Sequence, residues 1–336
     1  MIDQKMIAEK AGVSRATVSR AFTQNANISP KTLAKIQQAM LDLGIPPIEH
    51  FPNKISKNLK YALIIAGDIS NNFYAHVIRG ISDRLISLGI LPVICNSNYD
   101  EMLEERMIEQ ADANNYLGIF FVTAMERSSL SSLLRRINTP VIFVNRYIHS
   151  FEGHTVCIDN FKGGHIAAQH LIANGHHRIA YIATYKGSTA QEDRIRGFKS
   201  YLDELPTSQY TYQLFYTENS LKRGTEYAIN LIRQRLPYTA LFVADCETAA
   251  AIVHALTNEG YQIPRDISIL CFDDSLYISD NGLRLSTIAH DPYSMGETAA
   301  KLLTQQLAIK TQNTIHIDLQ PQLIIRSSVQ ELPTPL

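Results

Sequence analysis

From Tyr61 onward the chain alternates short apolar runs with amphipathic stretches, and that alternation restricts its fold more than any other feature. Residues 61–66 (YALIIA), 91–95, 118–122 (GIFFV) and 141–145 are too short for core helices and suit strands buried on both faces. Amphipathic segments at 73–88, 100–114 and 128–137 separate them. A second set follows, with strands near 178–183, 212–216, 240–243 and 268–272 and helices near 161–174, 190–202, 221–235 and 246–259. Two successive sets predict two doubly wound parallel-sheet subdomains, with a ligand expected in the cleft at the carboxyl ends of their strands. The late segments 292–309, 315–319 and 322–326 do not simply extend the second set.

The first 60 residues are of a different kind, with nine basic and four acidic side chains in a chain whose net charge is −1. A basic head on an acidic body fits a small polyanion-binding module. Asp3 can cap a first helix over residues 5–10, with Ile7, Ala8 and Ala11 on its apolar side. Gly12 can turn the chain at positive φ, Ser14 is a good N-cap, and residues 15–22 read as a second short helix with Val18 inward. Two short helices joined by a tight glycine turn form a helix-turn-helix, whose second helix enters the major groove. Ser29 and Pro30 open a third helix carrying Leu33, Ile36, Met40 and Leu43 along one face, and Gly44 ends it. Residues 45–60 hold Pro46, Pro47 and Pro52 and read as a linker.

At 336 residues, 45% of them apolar, the chain is long enough for two or three domains. Cys95, Cys157, Cys246 and Cys271 are widely spaced, with no Cys-x-x-Cys pair, and read as reduced core thiols. No apolar signal segment or membrane-length run is present, so a cytoplasmic protein is expected, without membrane contact. His176 and His177 are adjacent, and on a strand they would point to opposite faces, which disfavours a shared metal. Ser188 and Asp193 with nearby histidines lack a Gly-x-Ser-x-Gly elbow, and no dinucleotide or Walker-type glycine loop occurs. Neither an enzyme nor a cofactor or metal requirement is expected.

The order Ala8, Ala11, Gly12, Val13, Ser14, Ala16, Thr17, Val18, Ser19, Arg20 closely resembles the N-terminal signature of the lactose-repressor (LacI/GalR) family of bacterial transcription regulators. The resemblance continues along essentially the whole chain. Asp68-Ile69-Ser70-Asn71 with Phe73-Tyr74, Ile158-Asp159-Asn160 with Gly163-Gly164, and Gly175-His176-His177-Arg178-Ile179 fall in family order. Arg194 to Phe198 (RIRGF), Cys271-Phe272-Asp273-Asp274, Thr287-Ile288 and Ile325-Arg326-Ser327 complete the series. Gly67 and Asn72 stand where prolines are commoner, and Asp245-Cys246 replaces a usual Asn-Asp.

This resemblance implies a small all-α helix-turn-helix headpiece joined to a periplasmic-binding-protein-like α/β core of two doubly wound parallel-sheet subdomains. Its boundaries would be a headpiece at 1–46, a hinge or linker at 47–60, one subdomain at 61–160 and 292–322, and the other at 161–291 and 323–336. Arg15 and Ala16 would occupy the two principal base-reading positions, with Arg20 a third reader and Ser14 beside them. An arginine can grip a guanine edge bidentately, whereas Ala16 can only touch a thymine methyl. Thr17, Ser19 and Ser29 suit phosphates. The family's minor-groove wedge falls on Lys54, with Ile55 beside it, and Pro52 would lie inside the hinge helix unless that helix begins there.

In the core, the resemblance places Phe73 as a flat apolar surface and Asn145, Arg194, Asp245 and Asp273 as hydrogen-bonding groups. That set suits a polyhydroxyl ligand, because carboxylates accept from paired hydroxyls and arginine donates a planar fork. Other roles stay open: Phe73 as helix packing, Arg194 paired with Glu192 or Asp193, and Asp273 with Asp274 as turn and capping residues. The implied function is a dimeric repressor binding a pseudo-palindromic operator in double-stranded DNA, controlled by a neutral sugar or, less favoured, a nucleoside. The main rival is a cytoplasmic sugar- or nucleoside-binding protein of the periplasmic type with weak DNA binding.

Overall fold

The computed structural model describes residues 4–21, 29–43, 59–183, 186–206, 210–217, 221–234, 237–274, 282–309 and 313–333. The chain divides into two compact units, Met1–Leu59 and Lys60–Leu336. Pro52, Lys54 and Ile55, on which the hinge expectations rest, lie outside the described residues.

The first unit contains α1 (Gln4–Ala11), α2 (Arg15–Ala21) and α3 (Pro30–Asp42). Ile7, Val18 and Ile36 are fully buried and meet Ala8, Ala11, Ala21, Ala39 and Met40 in one small core. Burying each such large aliphatic side chain contributes about 1.5–3 kcal/mol, and so small a core depends on every one. Gly12 lies at φ +64°, the left-handed conformation that glycine adopts without steric cost. Val13 N donates to Ala8 O at 3.0 Å across this turn, so α1 ends and α2 starts in a new direction.

The second unit holds two six-stranded sheets. The first combines β1 (Lys60–Ala66), β2 (Ile90–Asn96), β3 (Ile119–Phe121), β4 (Val141–Val144), β5 (His154–Ile158) and β11 (His316–Leu319) in the order β11-β5-β4-β3-β1-β2. The second combines β6 (Arg178–Ala183), β7 (Thr211–Tyr216), β8 (Ala240–Val243), β9 (Ser268–Phe272), β10 (Ser286–Ala289) and β12 (Gln322–Ile324) in the order β12-β10-β9-β8-β6-β7. All pairings are parallel except β10 with β12. The helices are α4 (Asn72–Ser87), α5 (Glu101–Ala113), α6 (Ser128–Leu134), α7 (Asn160–Ala173), α8 (Thr189–Asp203), α9 (Leu221–Arg233), α10 (Cys246–Asn258) and α11 (Pro292–Ile309). No helix among the described residues is long and apolar enough to cross a membrane.

The expected strands and helices form within a few residues of their sequence positions, and α6 stops at Leu134 rather than Ile137. Two strands escaped the sequence pattern, β5 (HTVCI) and β10 (STIA), because polar residues interrupt their apolar runs. Tertiary bonds hold several of those polar groups instead: Arg326 N donates to Ser286 Oγ at 3.0 Å, Ser286 N to Ser328 Oγ at 2.7 Å, and Thr155 Oγ1 shares a 2.9 Å bond with His316 Nδ1. The chain passes between sheets after β5, after β10 and after β11, and Asp159 N donates to Leu319 O at 2.9 Å where two of these crossovers meet.

Candidate functional site

In the first unit, α2 carries the residues expected to read bases. Ser14 caps it, accepting from Thr17 N at 3.1 Å, and its hydroxyl also bonds the Thr17 hydroxyl at 2.8 Å. With Val18 turned into the core, Ser14, Arg15, Ala16 and Ser19 are exposed and Thr17 is half-buried. Arg20 belongs to α2, and its side chain lies outside the described residues. Ser29 repeats the capping geometry at α3, accepting from Thr32 N at 3.2 Å. An exposed arginine beside an alanine at the start of a helix is sterically free to approach base edges.

In the second unit, a cleft of about 690 Å³ opens at the carboxyl ends of both sheets, where topology predicts a ligand. Phe73, Asn145, Arg194, Asp245 and Asp273 all line it. Phe73 sits in the first turn of α4, half-buried and edge-on to Tyr74 at 5.7 Å between ring centroids. It therefore has both the packing role and the cleft position.

Asn145 and Asp273 occupy matching places in the two sheets. Each is the first residue beyond a strand, β4 or β9, and each takes a positive φ, +69° and +66°. Their backbone N–H groups donate to the neighbouring strand, at Val156 O and Ile288 O respectively, both at 2.9 Å. Non-glycine residues in this region are uncommon and cost about 1–3 kcal/mol, and asparagine and aspartate tolerate it best. Both also keep a buried Oδ1 without a hydrogen-bond partner among the described residues. Burial pushes the Asp273 carboxyl up to about 6; Arg194 opposes the rise and Asp245 adds to it.

Arg194 is buried, with 7% of its surface exposed, and its placement follows from a close helix crossing. A Cβ on Gly164 of α7 would strike the Arg194 carbonyl, and one on Gly197 of α8 would strike that of Phe161. The two helices therefore pack backbone to backbone, and Arg194 Nε reaches Asn160 Oδ1 at 2.7 Å while Nη1 donates to Ala244 O at 2.8 Å. Its guanidinium carbon lies 3.5 Å from the Phe272 ring centroid. Glu192 and Asp193 are not its partners; Asp193 instead bonds Arg196 at 2.7 Å and the Tyr147 hydroxyl at 3.1 Å.

Asp245 is the N-cap of α10, with Thr248 N donating to Oδ1 at 2.7 Å and Thr248 Oγ1 to Oδ2 at 2.8 Å. Burial raises its pKa, and these bonds and Arg194 restrain the rise. Asp274 is committed to a bidentate pair with Arg326, both contacts at 2.7 Å. Sequence reasoning missed several lining residues, three of them with polar side chains that bond across or into the cleft wall. Arg146 follows Asn145 and donates to the Tyr74 hydroxyl at 2.6 Å, Gln191 donates to the Tyr181 hydroxyl at 2.7 Å, and Glu247 accepts from Asn72 N across the cleft at 3.3 Å. Arg146 had a usable signal, an arginine directly after an asparagine at a strand end. Gln191 and Glu247 sit on helices whose orientation only the packed structure fixes.

His176 is buried, which holds its pKa down to about 4, with its Nδ1 meeting Thr239 Oγ1 and its Nε2 meeting Gln330 O, each at 3.0 Å. All four cysteines are buried free thiols.

Residues 5–47 match a family model described as bacterial regulatory proteins, lacI family, and residues 168–329 match the periplasmic binding protein-like domain. The HTH-type transcriptional regulator DegA of Bacillus subtilis is 30% identical over 331 residues, covering 98% of both chains. The catabolite control protein A of Priestia megaterium is 27% identical, over 96% of this chain and 98% of its own. Among solved structures, a LacI family regulator from Enterococcus faecium with bound ribose aligns with a TM-score of 0.71 at 26% identity, over 82% of this chain and 100% of that one. The transcriptional regulator CelR in complex with cellobiose shares the fold, with a TM-score of 0.70 at 23% identity, over 98% of this chain and all of its own. The head matches the family's own domain and the whole length matches its regulators, so the chain belongs to the LacI family of bacterial DNA-binding transcription regulators.

Proposed function

We propose that this regulator is a repressor, acting in the cytoplasm as a homodimer on a pseudo-palindromic operator, and that a small sugar-like effector in the core cleft sets its affinity for DNA. The observation that supports this most is the convergence of Phe73, Asn145, Arg194, Asp245 and Asp273 on one cleft, contributed by both sheets. A ligand touching both sides binds one subdomain arrangement better than another, and that difference is what couples it to a second site. The ribose and cellobiose named with two related structures are of the same polyhydroxyl class.

Arg15, Ala16 and Arg20 read bases in this proposal, while Ser14, Thr17, Ser19 and Ser29 hold register. Ser14 and Ser29 already serve as helix caps, so their contact with phosphate passes through the same hydroxyl or the adjoining backbone N–H. Lys54 and Ile55 take the minor-groove position. No catalytic step belongs to this reading. The alternative, a binding protein with only incidental DNA affinity, leaves the exposed face of Arg15, Ala16 and Ser19 on a basic head without purpose.

The test is an anisotropy titration on the gene's own upstream DNA and on scrambled DNA, at low and high salt, with and without sugars. Sequence preference at both salts, shifted by a sugar, is expected. Equal binding to both DNAs that vanishes at high salt would mean phosphate contact alone and would favour the binding-protein reading.

A further inference from the structure

We propose that the effector is an amino sugar, a polyhydroxyl ligand whose ammonium group is held by the Asp273 carboxylate at the carboxyl end of β9. This rests on the sugar-effector reading above and narrows its ligand class from neutral to cationic.

Among the described residues, the cleft is lined by six carboxylates, Asp68, Asp245, Glu247, Asp273, Asp274 and Asp291, against two guanidiniums, Arg146 and Arg194. Asp274 is neutralised by Arg326, and the excess of negative charge remains. His76 also lines the cleft, with Nδ1 meeting Asn72 O at 2.8 Å. Four of the other carboxylates are occupied locally. Asp68 accepts from Ser70 N and Oγ, Asp245 from Thr248 N and Oγ1, Asp291 from Ser294 N and Oγ, and Glu247 from Asn72 N. Asp273 differs, because its Oδ1 is buried and meets no hydrogen-bond partner among the described residues.

The two guanidiniums are fewer than the five carboxylates that remain once Asp274 is paired. Arg194 spends Nε and Nη1 on neutral oxygens and lies against the Phe272 ring, while Arg146 donates to the Tyr74 hydroxyl and to Met125 Sδ. They offset part of the field at Asp273, and burial with Asp245 still lifts its carboxyl to about 6. A hydroxyl can donate one bond to such a group and leaves the charge in place. An ammonium supplies several donors and the missing positive charge. A phosphorylated sugar would add to the repulsion, and an N-acetylated one would offer a neutral amide.

The experiment is calorimetric titration of the full chain, at near-neutral pH, with glucosamine, galactosamine and mannosamine, with their N-acetyl forms, and with glucose, galactose and mannose. The expected result is that one amine binds at least about tenfold more tightly than both its N-acetyl and its hydroxyl counterparts. In Asp273→Asn that preference should collapse to within about threefold, with the urea unfolding midpoint and operator binding of the variant showing that the chain is still folded. If a neutral sugar binds as well as or better than its amine, the proposal falls and the sugar-effector reading stands. A preference for the amine that survives Asp273→Asn also overturns it, since the ammonium would then be held elsewhere. Failure of all three amines overturns this inference, and failure of ribose and cellobiose, titrated alongside them, counts against the sugar-effector reading as well.

Discussion

Asp273→Asn should make the protein more stable, although it alters a residue of the proposed binding cleft. Asparagine keeps the shape and tolerates the φ of +66°, so the main change is loss of a charge that the folded state holds at a cost. The sign follows from proton binding. The carboxyl titrates at about 6 in the folded chain against an ordinary 3.8, so between those values the folded state binds more protons, and stability falls as pH rises. The full penalty, reached above the folded value, is about 3 kcal/mol by the conversion of 1.36 kcal/mol per pH unit. By the same linkage it is about half that near pH 5, so the advantage of the variant should grow by about 1.4 kcal/mol between about pH 5 and pH 8. Urea unfolding of both proteins at several pH values, at one protein concentration and without ligand, measures this difference. Titrating groups remote from Asp273 cancel in the comparison. A constant difference across pH, or a variant less stable near pH 8, would show that Asp273 carries no penalised charge and would remove the main support for an unsatisfied carboxylate in the cleft.

Arg15→Ala should relax preference at one base pair of each operator half-site, at a loss of about 1–3 kcal/mol, measured by titration against singly substituted operators; uniform weakening across sequences would make Arg15 a phosphate contact. Gly197→Ala should cost about 1–3 kcal/mol in urea unfolding, because the added methyl meets the Phe161 carbonyl at the α7–α8 crossing. His176 is held down to about 4 by burial from an ordinary 6.5, so below 6.5 the unfolded chain takes up a proton that the folded chain refuses, and acidification toward pH 4 should remove about 3 kcal/mol of stability. His176→Asn should flatten that acid limb whatever it costs at neutral pH. Ser14→Ala should remove the α2 cap, about 1 kcal/mol, seen as earlier melting of the headpiece.

Much of this architecture was readable because periodicity and local chemistry agreed. The runs that became β1, β4 and β8 are apolar throughout, and Gly12, Ser14 and Pro30 mark turns and starts that the structure honours. β5 and β10 were hidden because the partners of Thr155 and Ser286, namely His316 and Ser328, arrive from distant parts of the chain. The candidate site shows the same division. Residues at strand ends could be nominated from the sequence, whereas the capping role of Asp245 and the partners of Arg194 depend on helix placement. Phe272 was visible only as part of a strand, and its ring supports the guanidinium of Arg194.

The matched pair Asn145 and Asp273 shows how such a cleft can stay both rigid and receptive. Each residue is turned into the left-handed region by a strand end, pinned through its backbone N–H to the next strand, and left with an unsatisfied acceptor. Strain of about 1–3 kcal/mol at each is tolerated because the sheet holds the backbone on both sides. The acceptors therefore do not depend on a loop to bring them into place. In the proposed switch, the ligand completes one acceptor from each sheet at once. Its binding free energy then varies with the angle between the sheets, and the crossovers after β5, β10 and β11 are where that angle can change. In the same proposed switch, the bond from Asn72 N to Glu247, which also spans the cleft, adds to the arrangement that brings these two residues together. Glu247→Gln would weaken it by removing the charge that faces the N-terminus of α4, at about 0.3–1 kcal/mol. Effector affinity should then fall only slightly, by less than about tenfold, because the ligand must supply that difference itself.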